Sequence, residues 1–278
     1  MNWHIVTDSS CDELPEMTIP EGVTFGKVPF VFQIGHQFMT DDDQLDINEM
    51  LDAMEKCPEA SHSACPAPGL WEEEFGRADQ VLAFTISANL SGSYDSAMTA
   101  RHMVLEQHPD KKIFVLNSLG TGPMLSLAVQ KAVSLIAANA SFETVTAELS
   151  RFVRERHTLF ALCSFNNLVK NGRVSRLAGL IAGKLGIWGI GAGSPEGKIE
   201  IVAKVRCTRR IMDTMLDKMK QNGFTGGTVM ISHCLNPEFA EQMRDAIKKV
   251  FANVQVLLGA TGGLCSFYAE RRGLIIVY

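Results

Sequence analysis

Small hydroxyl side chains gather at five places where they could hold an anion: Thr7 to Ser10, Ser61 to Gly69, Ser87 to Ser93, Asn117 to Gly122 and Gly259 to Gly263. Hydroxyls and the free N–H groups of a helix start are suited to a carboxylate or a phosphate. Ser91-Gly92-Ser93 is the clearest local example, because a helical run with Ala97, Ala100, Val104 and Leu105 follows it directly. Asp8-Ser9-Ser10 has the same character. Ser, Asp and Asn are also favoured helix caps, so each segment alone reads as a cap or turn as readily as a ligand site. Arg173 is more specific. It lies in the compact turn Asn171-Gly172-Arg173-Val174-Ser175 and carries a permanently charged planar fork that matches a carboxylate or phosphate. Lys204, Arg206, Arg209 and Arg210 form a second basic cluster, read either as a partner surface or as ordinary surface charge.

Other chemistries lack their residues. The sequence has no GxGxxG, no GxxxxGK[ST] and no GxSxG, so dinucleotide, Walker-type phosphate and nucleophile-elbow sites are unsupported. Seven cysteines with no CxxC support neither a zinc ribbon nor a thioredoxin-like motif. His62 near Cys57 and Cys65, and His233 beside Cys234, do not assemble a ligand set. Asp41-Asp42-Asp43 reads as a solvated charge run. No metal and no cofactor is expected. Asp8 with the serine loops leaves one enzymatic alternative, a phosphatase or transferase acting on a phosphorylated small molecule.

These loops need strands to present them. Trp3 to Val6, the continuous apolar run Val81 to Ile86, and Ile113 to Leu116 each read as strands that lead into one of the polar segments. Pro123 opens a helical face, and Phe142, Val145, Leu149 and Phe152 mark another. Strand, polar turn and helix in repetition indicate a parallel α/β sheet, whose ligands bind at the carboxyl ends of the strands. The second half reads as α+β. Ile199 to Val205 alternates as a half-buried antiparallel strand, Leu177 to Leu185 reads as a buried helix, and Asn236-Pro237 starts a helix. The expected fold class is α/β: an N-terminal parallel-sheet α/β domain over 1–156 and a second α+β domain over 157–278, with a ligand between them and the Ser61 to Gly69 segment packed on the second domain. A length of 278 residues with 46% hydrophobic and 21% charged residues suits two globular domains and excludes global disorder. A net charge of −5 argues against a dedicated nucleic-acid binder. No apolar run is long enough to span a membrane, and the chain reads as reduced and cytoplasmic.

In this order the segments resemble those of the DegV family of bacterial fatty-acid-binding proteins. The resemblance rests on Ile5-Val6-Thr7-Asp8-Ser9-Ser10, Ser63-Ala64-Cys65-Pro66-Ala67-Pro68-Gly69, Leu90-Ser91-Gly92-Ser93-Tyr94, and Asn171-Gly172-Arg173-Val174-Ser175. Gly197-Lys198 with Lys204-Val205-Arg206 adds a later strand pair. It implies two domains with one long-chain fatty acid in an apolar tunnel between them. By position, Ser63 and Ser91 with Gly92 and Ser93 would hold the carboxylate, with Arg173 close by and Asp8, Ser9 and Ser10 behind them. It further implies a carrier subunit, not itself an enzyme, that presents the acid to a separate ATP-dependent fatty acid kinase for acyl phosphate formation. Arg206, Arg209 and Arg210 would offer the partner surface, and transient membrane contact is compatible with that role. A non-catalytic lipid-sensing regulator is the further alternative. Two departures stand out. Ser63 replaces the usual Thr, and Gly259 falls where the family carries a His, with Thr261 as a substitute hydroxyl. Part of the 13 methionines is expected to line the tunnel, since Met adapts to irregular cavities.

Overall fold

A computed structural model describes residues 2–174 and 187–278. The helix expected over Leu177 to Leu185 lies outside the described residues. Along the chain come β1 (Trp3–Asp8), β2 (Val23–Val28), β3 (Val31–Ile34), β4 (Gln37–Thr40), α1 (Ile47–Lys56), β5 (His62–Ala64) and α2 (Pro68–Phe75). Then follow β6 (Gln80–Thr85), α3 (Ser93–Gln107), β7 (Lys112–Asn117), α4 (Pro123–Ala137), α5 (Phe142–Arg154), β8 (Thr158–Leu162) and α6 (Asn166–Lys170). The remaining elements are β9 (Ile187–Gly193), β10 (Ile199–Arg206), α7 (Thr208–Gln221), β11 (Gly227–His233), α8 (Pro237–Val250), β12 (Val254–Ala260), α9 (Gly263–Ala269) and β13 (Leu274–Val277).

The first sheet has the order β2-β1-β6-β7 and is parallel throughout. Its central strands are buried on both faces, which is why Val81 to Ile86 reads as a continuous apolar run. Ile5, Leu82 and Phe84 face α4 and α5, whose Leu125, Val129, Val145 and Leu149 share their core. Val6, Val81 and Ala83 face the other way, onto Trp71 and Phe75 of α2 and Ala97, Ala100 and Val104 of α3. Pro123 occupies the first turn of α4, where its missing N–H costs nothing. Ser141 caps α5 by accepting from Thr144 N.

The second sheet has the order β10-β9-β8-β13-β11-β12 and is mixed: only β11 and β12 run parallel. One face packs Leu159, Ala161, Ile190 and Ile276 against Ile211, Met215 and Met219 of α7 and Phe239, Met243 and Ile247 of α8. Strand β10 shows the expected alternation, with every second residue exposed, and pairs antiparallel with β9. At α8 the residue types are as expected but the bonding differs. Asn236 precedes Pro237, yet its side chain makes no cap; Nδ2 instead donates to the Arg272 carbonyl at 2.9 Å.

A three-stranded antiparallel sheet, β4-β3-β5, was not evident from the pattern. Its Phe32 and Ile34, with Met50 and Leu51 of α1, share a core with Phe160, Phe165, Leu264 and Phe267. Residues 30–64 therefore cover the second face of the six-stranded sheet. Helix α4 joins the two large sheets, because its core also holds Met230 of β11 and Val277 of β13.

Candidate functional site

On the covered face of the six-stranded sheet lies a cavity of about 840 Å³ of empty space, its mouth included. Its floor is the alternating set Thr158, Phe160 and Leu162 of β8, with Ile275 of β13. Strand β9 makes the room. Trp188, Ile190 and Ala192 point to the opposite core, so beyond Ile187 the other face of β9 carries Gly189, Gly191 and Gly193, the last of which lines the cavity. A Cβ at Gly191 would overlap the Phe160 ring, and one at Gly189 the Phe165 ring. The roof comes from loops at the carboxyl ends of the parallel strands: Ile86, Leu90 and Ser91 after β6, and Leu119, Gly120 and Thr121 after β7. Leu264, Cys265 and Tyr268 of the α9 segment complete the wall. The lining is overwhelmingly apolar. Among the described residues no methionine belongs to it; Met50, Met124, Met215, Met219, Met230 and Met243 fill cores instead, contrary to the expectation that methionine lines the tunnel.

Polar side chains meet in one corner. Ser63 Oγ lies 2.8 Å from Tyr268 Oη. The Arg173 guanidinium stands over the Tyr268 ring, 5.7 Å from its centroid. Arg173 Nε donates to the Leu90 carbonyl at 3.2 Å, and a terminal nitrogen donates to the Asn171 carbonyl at 2.7 Å. These bonds fix the guanidinium beside Ser91, the next residue. Asn171 Nδ2 donates to the Ser61 carbonyl at 3.0 Å, tying the turn of Arg173 to the strand of Ser63. Ser91 Oγ accepts from Ser93 N at 3.3 Å. Residues from four separate segments thus converge on one corner of an apolar cavity.

Behind this corner is a buried carboxylate network. Asp8 is fully buried. One oxygen accepts from Ser10 N and Ser10 Oγ, the other from Ile86 N at 2.9 Å and Ser93 Oγ at 2.6 Å. Burial raises its pKa, and the bonds to Ser10, Ser93 and Ile86 oppose that rise. Ser9 Oγ accepts from Phe30 N. Asp12 accepts from Gly262 N at 2.8 Å and Asp41 from Leu264 N at 2.9 Å, so two carboxylates hold the start of α9. Burial pushes Asp12 up to about 7 and Asp41 up to about 6. Asp12 Oδ2 and Ser232 Oγ are buried without a partner among the described residues.

Of the residues singled out in the sequence, Ser63, Ser91 and Arg173 line the cavity. Gly92 is exposed. Ser93 is buried on Asp8. Thr261 bonds Ser266 Oγ at 2.7 Å and the His233 carbonyl; neither Ser93 nor Thr261 is in the lining. Gly259 lies in β12 beside Glu13 and Met230, also away from the lining. Arg206, Arg209 and Arg210 are exposed on β10 and α7. Tyr268 and Lys198 line the cavity and were missed. The signal for Tyr268 was a lone tyrosine after the polar segment Thr261-Gly262-Gly263; the signal for the cavity itself was Trp188-Gly189-Ile190-Gly191-Ala192-Gly193, with glycine at every second position. Among the described residues no three His, Cys, Asp or Glu side chains group as a metal site, and no helix is long and apolar enough to cross a membrane.

Known proteins share this architecture. The chain is 36% identical over 278 residues to a DegV domain-containing protein of Streptococcus pyogenes serotype M1, covering 100% of this chain and 99% of that one. A fatty acid kinase (Fak) B3 protein of Streptococcus pneumoniae, solved loaded with linoleic acid, superposes with a TM-score of 0.96 at 37% identity, covering 100% and 99% of the two chains. A DegV family protein of Eubacterium eligens loaded with heptadecanoic acid gives 0.93 at 34% identity, covering 99% and 98%. The sequence pattern of the DegV family, described as uncharacterised proteins, is matched by residues 2–278. With that pattern met along its whole described length, the chain belongs to the DegV family.

Proposed function

We propose that the protein binds one long-chain fatty acid in the cavity, its carboxylate in the corner of Ser63, Ser91, Tyr268 and Arg173, and presents that carboxylate to a separate ATP-dependent kinase for acyl phosphate formation. The observation that carries the reading is the pairing of an apolar cavity with a single cluster of hydroxyls and guanidinium. Burial of about fifteen methylenes is worth on the order of 12 kcal/mol before ordering costs are subtracted. A carboxylate taken out of water needs donors to stay charged. Tyr268 donating to Ser63 leaves the Ser63 proton for the ligand. Ser91 spends a lone pair on Ser93 N and keeps its proton for the same use. The relatives solved with linoleic and heptadecanoic acid support this ligand class, and the name fatty acid kinase on one of them supports the kinase partnership.

On this reading the chain is a carrier and not itself an enzyme. Asp8, the acid an enzymatic alternative would use, has both oxygens committed to four hydrogen bonds. The boundary between domains falls near Arg156, with residues 30–64 siding with the second domain, and exposed Arg206, Arg209 and Arg210 suit an acidic partner surface. Extraction and mass spectrometry of the purified protein tests the core of the reading. An acyl chain is expected; an empty protein that takes up no labelled fatty acid would overturn it.

A further inference from the structure

The turn that follows α9 carries backbone strain that the fatty-acid reading does not use. Glu270 ends α9 with φ +55° and ψ 179°, a region of backbone space nearly reserved for glycine. Arg272, two residues on, has φ +73°. Residues held in such conformations persist only where the surroundings over-determine them, and they cluster at binding sites. The surroundings here do so from two sides. The Arg271 guanidinium bonds Asn48, Asp52 and Glu55 of α1. Arg272 N donates to the Cys234 carbonyl at 2.8 Å, and the Arg272 guanidinium stands 5.2 Å from the centre of the Trp188 ring.

The Glu270 side chain reaches the start of α6. Its Oε1 accepts from Ser164 Oγ at 2.8 Å and from Asn167 N at 3.4 Å. Asn167 is buried, and its Nδ2 donates to the Phe267 carbonyl of α9 at 2.8 Å. The Asn167 carbonyl accepts from Asn171 N at 3.0 Å and from Asn171 Nδ2 at 2.9 Å. The Asn171 carbonyl accepts from the Arg173 guanidinium, and Asn171 Nδ2 also donates to the Ser61 carbonyl. An unbroken run of hydrogen bonds therefore leads from Glu270 to Arg173 and to the segment that carries Ser63. Tyr268 stands two residues before Glu270 on α9 itself. Neither Glu270 nor Asn167 is in the cavity lining.

We propose that Glu270 is a positioning residue for the carboxylate corner: its carboxylate ties α6 to α9 and so sets Arg173 and Ser63 in place against Tyr268. The proposal rests on the fatty-acid reading. A helix of five residues has little stability of its own. Leu168 anchors α6 in the core, and Glu270 fixes its start, which the turn of Arg173 follows. Donors to a charged ligand lose strength steeply as distance and angle drift, so the groups behind them must be held. The strained backbone at Glu270 is what points its carboxylate at α6.

Two variants separate positioning from general support. Glu270→Gly removes the carboxylate where glycine suits the backbone; the strain relieved and the bonds lost are of similar size, so the variant is expected to fold. Glu270→Gln keeps an acceptor oxygen for Ser164 and Asn167. Displacement of a labelled fatty acid is measured with a long-chain fatty acid and with the alcohol of the same chain length, which buries the same methylenes without the charge. The parent is expected to prefer the acid. Glu270→Gly is expected to lose about tenfold of that preference with its affinity for the alcohol unchanged, and Glu270→Gln to restore it. Equal losses for acid and alcohol, no loss, a glutamine no better than glycine, or a glycine variant that fails to fold each overturn the positioning role and leave the fatty-acid reading intact. A parent that binds the acid no more tightly than the alcohol overturns the carboxylate corner, and one that binds neither overturns the fatty-acid reading itself; the positioning role falls with either.

Discussion

The contact between Ser63 and Tyr268 allows a sharp test of the carboxylate corner. Two hydroxyls 2.8 Å apart hold two protons. One lies between them, and the second is on Ser63, free for a ligand there, only if tyrosine is the donor in the pair. Ser63→Ala removes a donor to a charged carboxylate, a loss of about 1.5–3 kcal/mol or roughly ten- to a hundredfold in Kd. Tyr268→Phe removes a neutral hydrogen bond, about 0.5–1.5 kcal/mol. It keeps the ring beneath Arg173, so the cation–π contact stays constant. If Tyr268 acts through Ser63, Tyr268→Phe has no effect in a Ser63→Ala background, and the cycle yields a coupling about as large as the single tyrosine loss. Titration calorimetry with a long-chain fatty acid on the four proteins reads it. Fully additive losses would refute the relay and place Tyr268 in independent contact with the ligand.

Further predictions concern stability. Asp12 and Asp41 sit above the ordinary carboxylate value of 3.8, so the folded protein holds their protons more tightly than the unfolded chain does. Their contribution is full below about pH 4 and is lost as pH rises through 6 and 7, at up to about 1.4 kcal/mol per pH unit for each proton. The thermal midpoint is expected to fall between pH 5 and pH 8, and Asp12→Asn to flatten that fall; an identical pH slope in the two proteins would count against the buried acid pair. Gly191→Ala drives a Cβ into the Phe160 ring and against the Glu200 carbonyl. Overpacking of that kind costs about 1–3 kcal/mol, to be read as a lower denaturation midpoint together with weaker fatty-acid uptake as the ring is pushed into the cavity.

Burial on two faces made the first sheet legible. Val81 to Ile86 could hardly be anything but an interior strand, and it is one within a residue at each end. Residues 23–75 were opaque for physical reasons. β2 is an edge strand with no clean alternation, β3, β4 and β5 have three or four residues each, and β4 is mostly exposed. The corner was partly legible because Ser63, Ser91 and Arg173 each sit in a recognisable short sequence motif. Tyr268 was not, since its hydroxyl has meaning only against a serine 205 residues away. Methionine misled because composition says how much flexible apolar bulk exists and nothing of which face receives it.

The strand order of the six-stranded sheet bears on how the protein comes to fold. β13, which follows every other described element, lies between β8 and β11. It is the only strand among those described that joins the β10-β9-β8 half to the β11-β12 half. Thr158 therefore waits for Val277 across nearly all of the second half of the chain. Such long-range pairings slow the search for the native topology. Until β13 docks, the cavity floor lacks Ile275 and the two halves are held together only through other elements. Ligand capacity should therefore appear late and all at once during refolding. A bound acid, which recognises only the finished sheet, would hold the two halves shut by mass action.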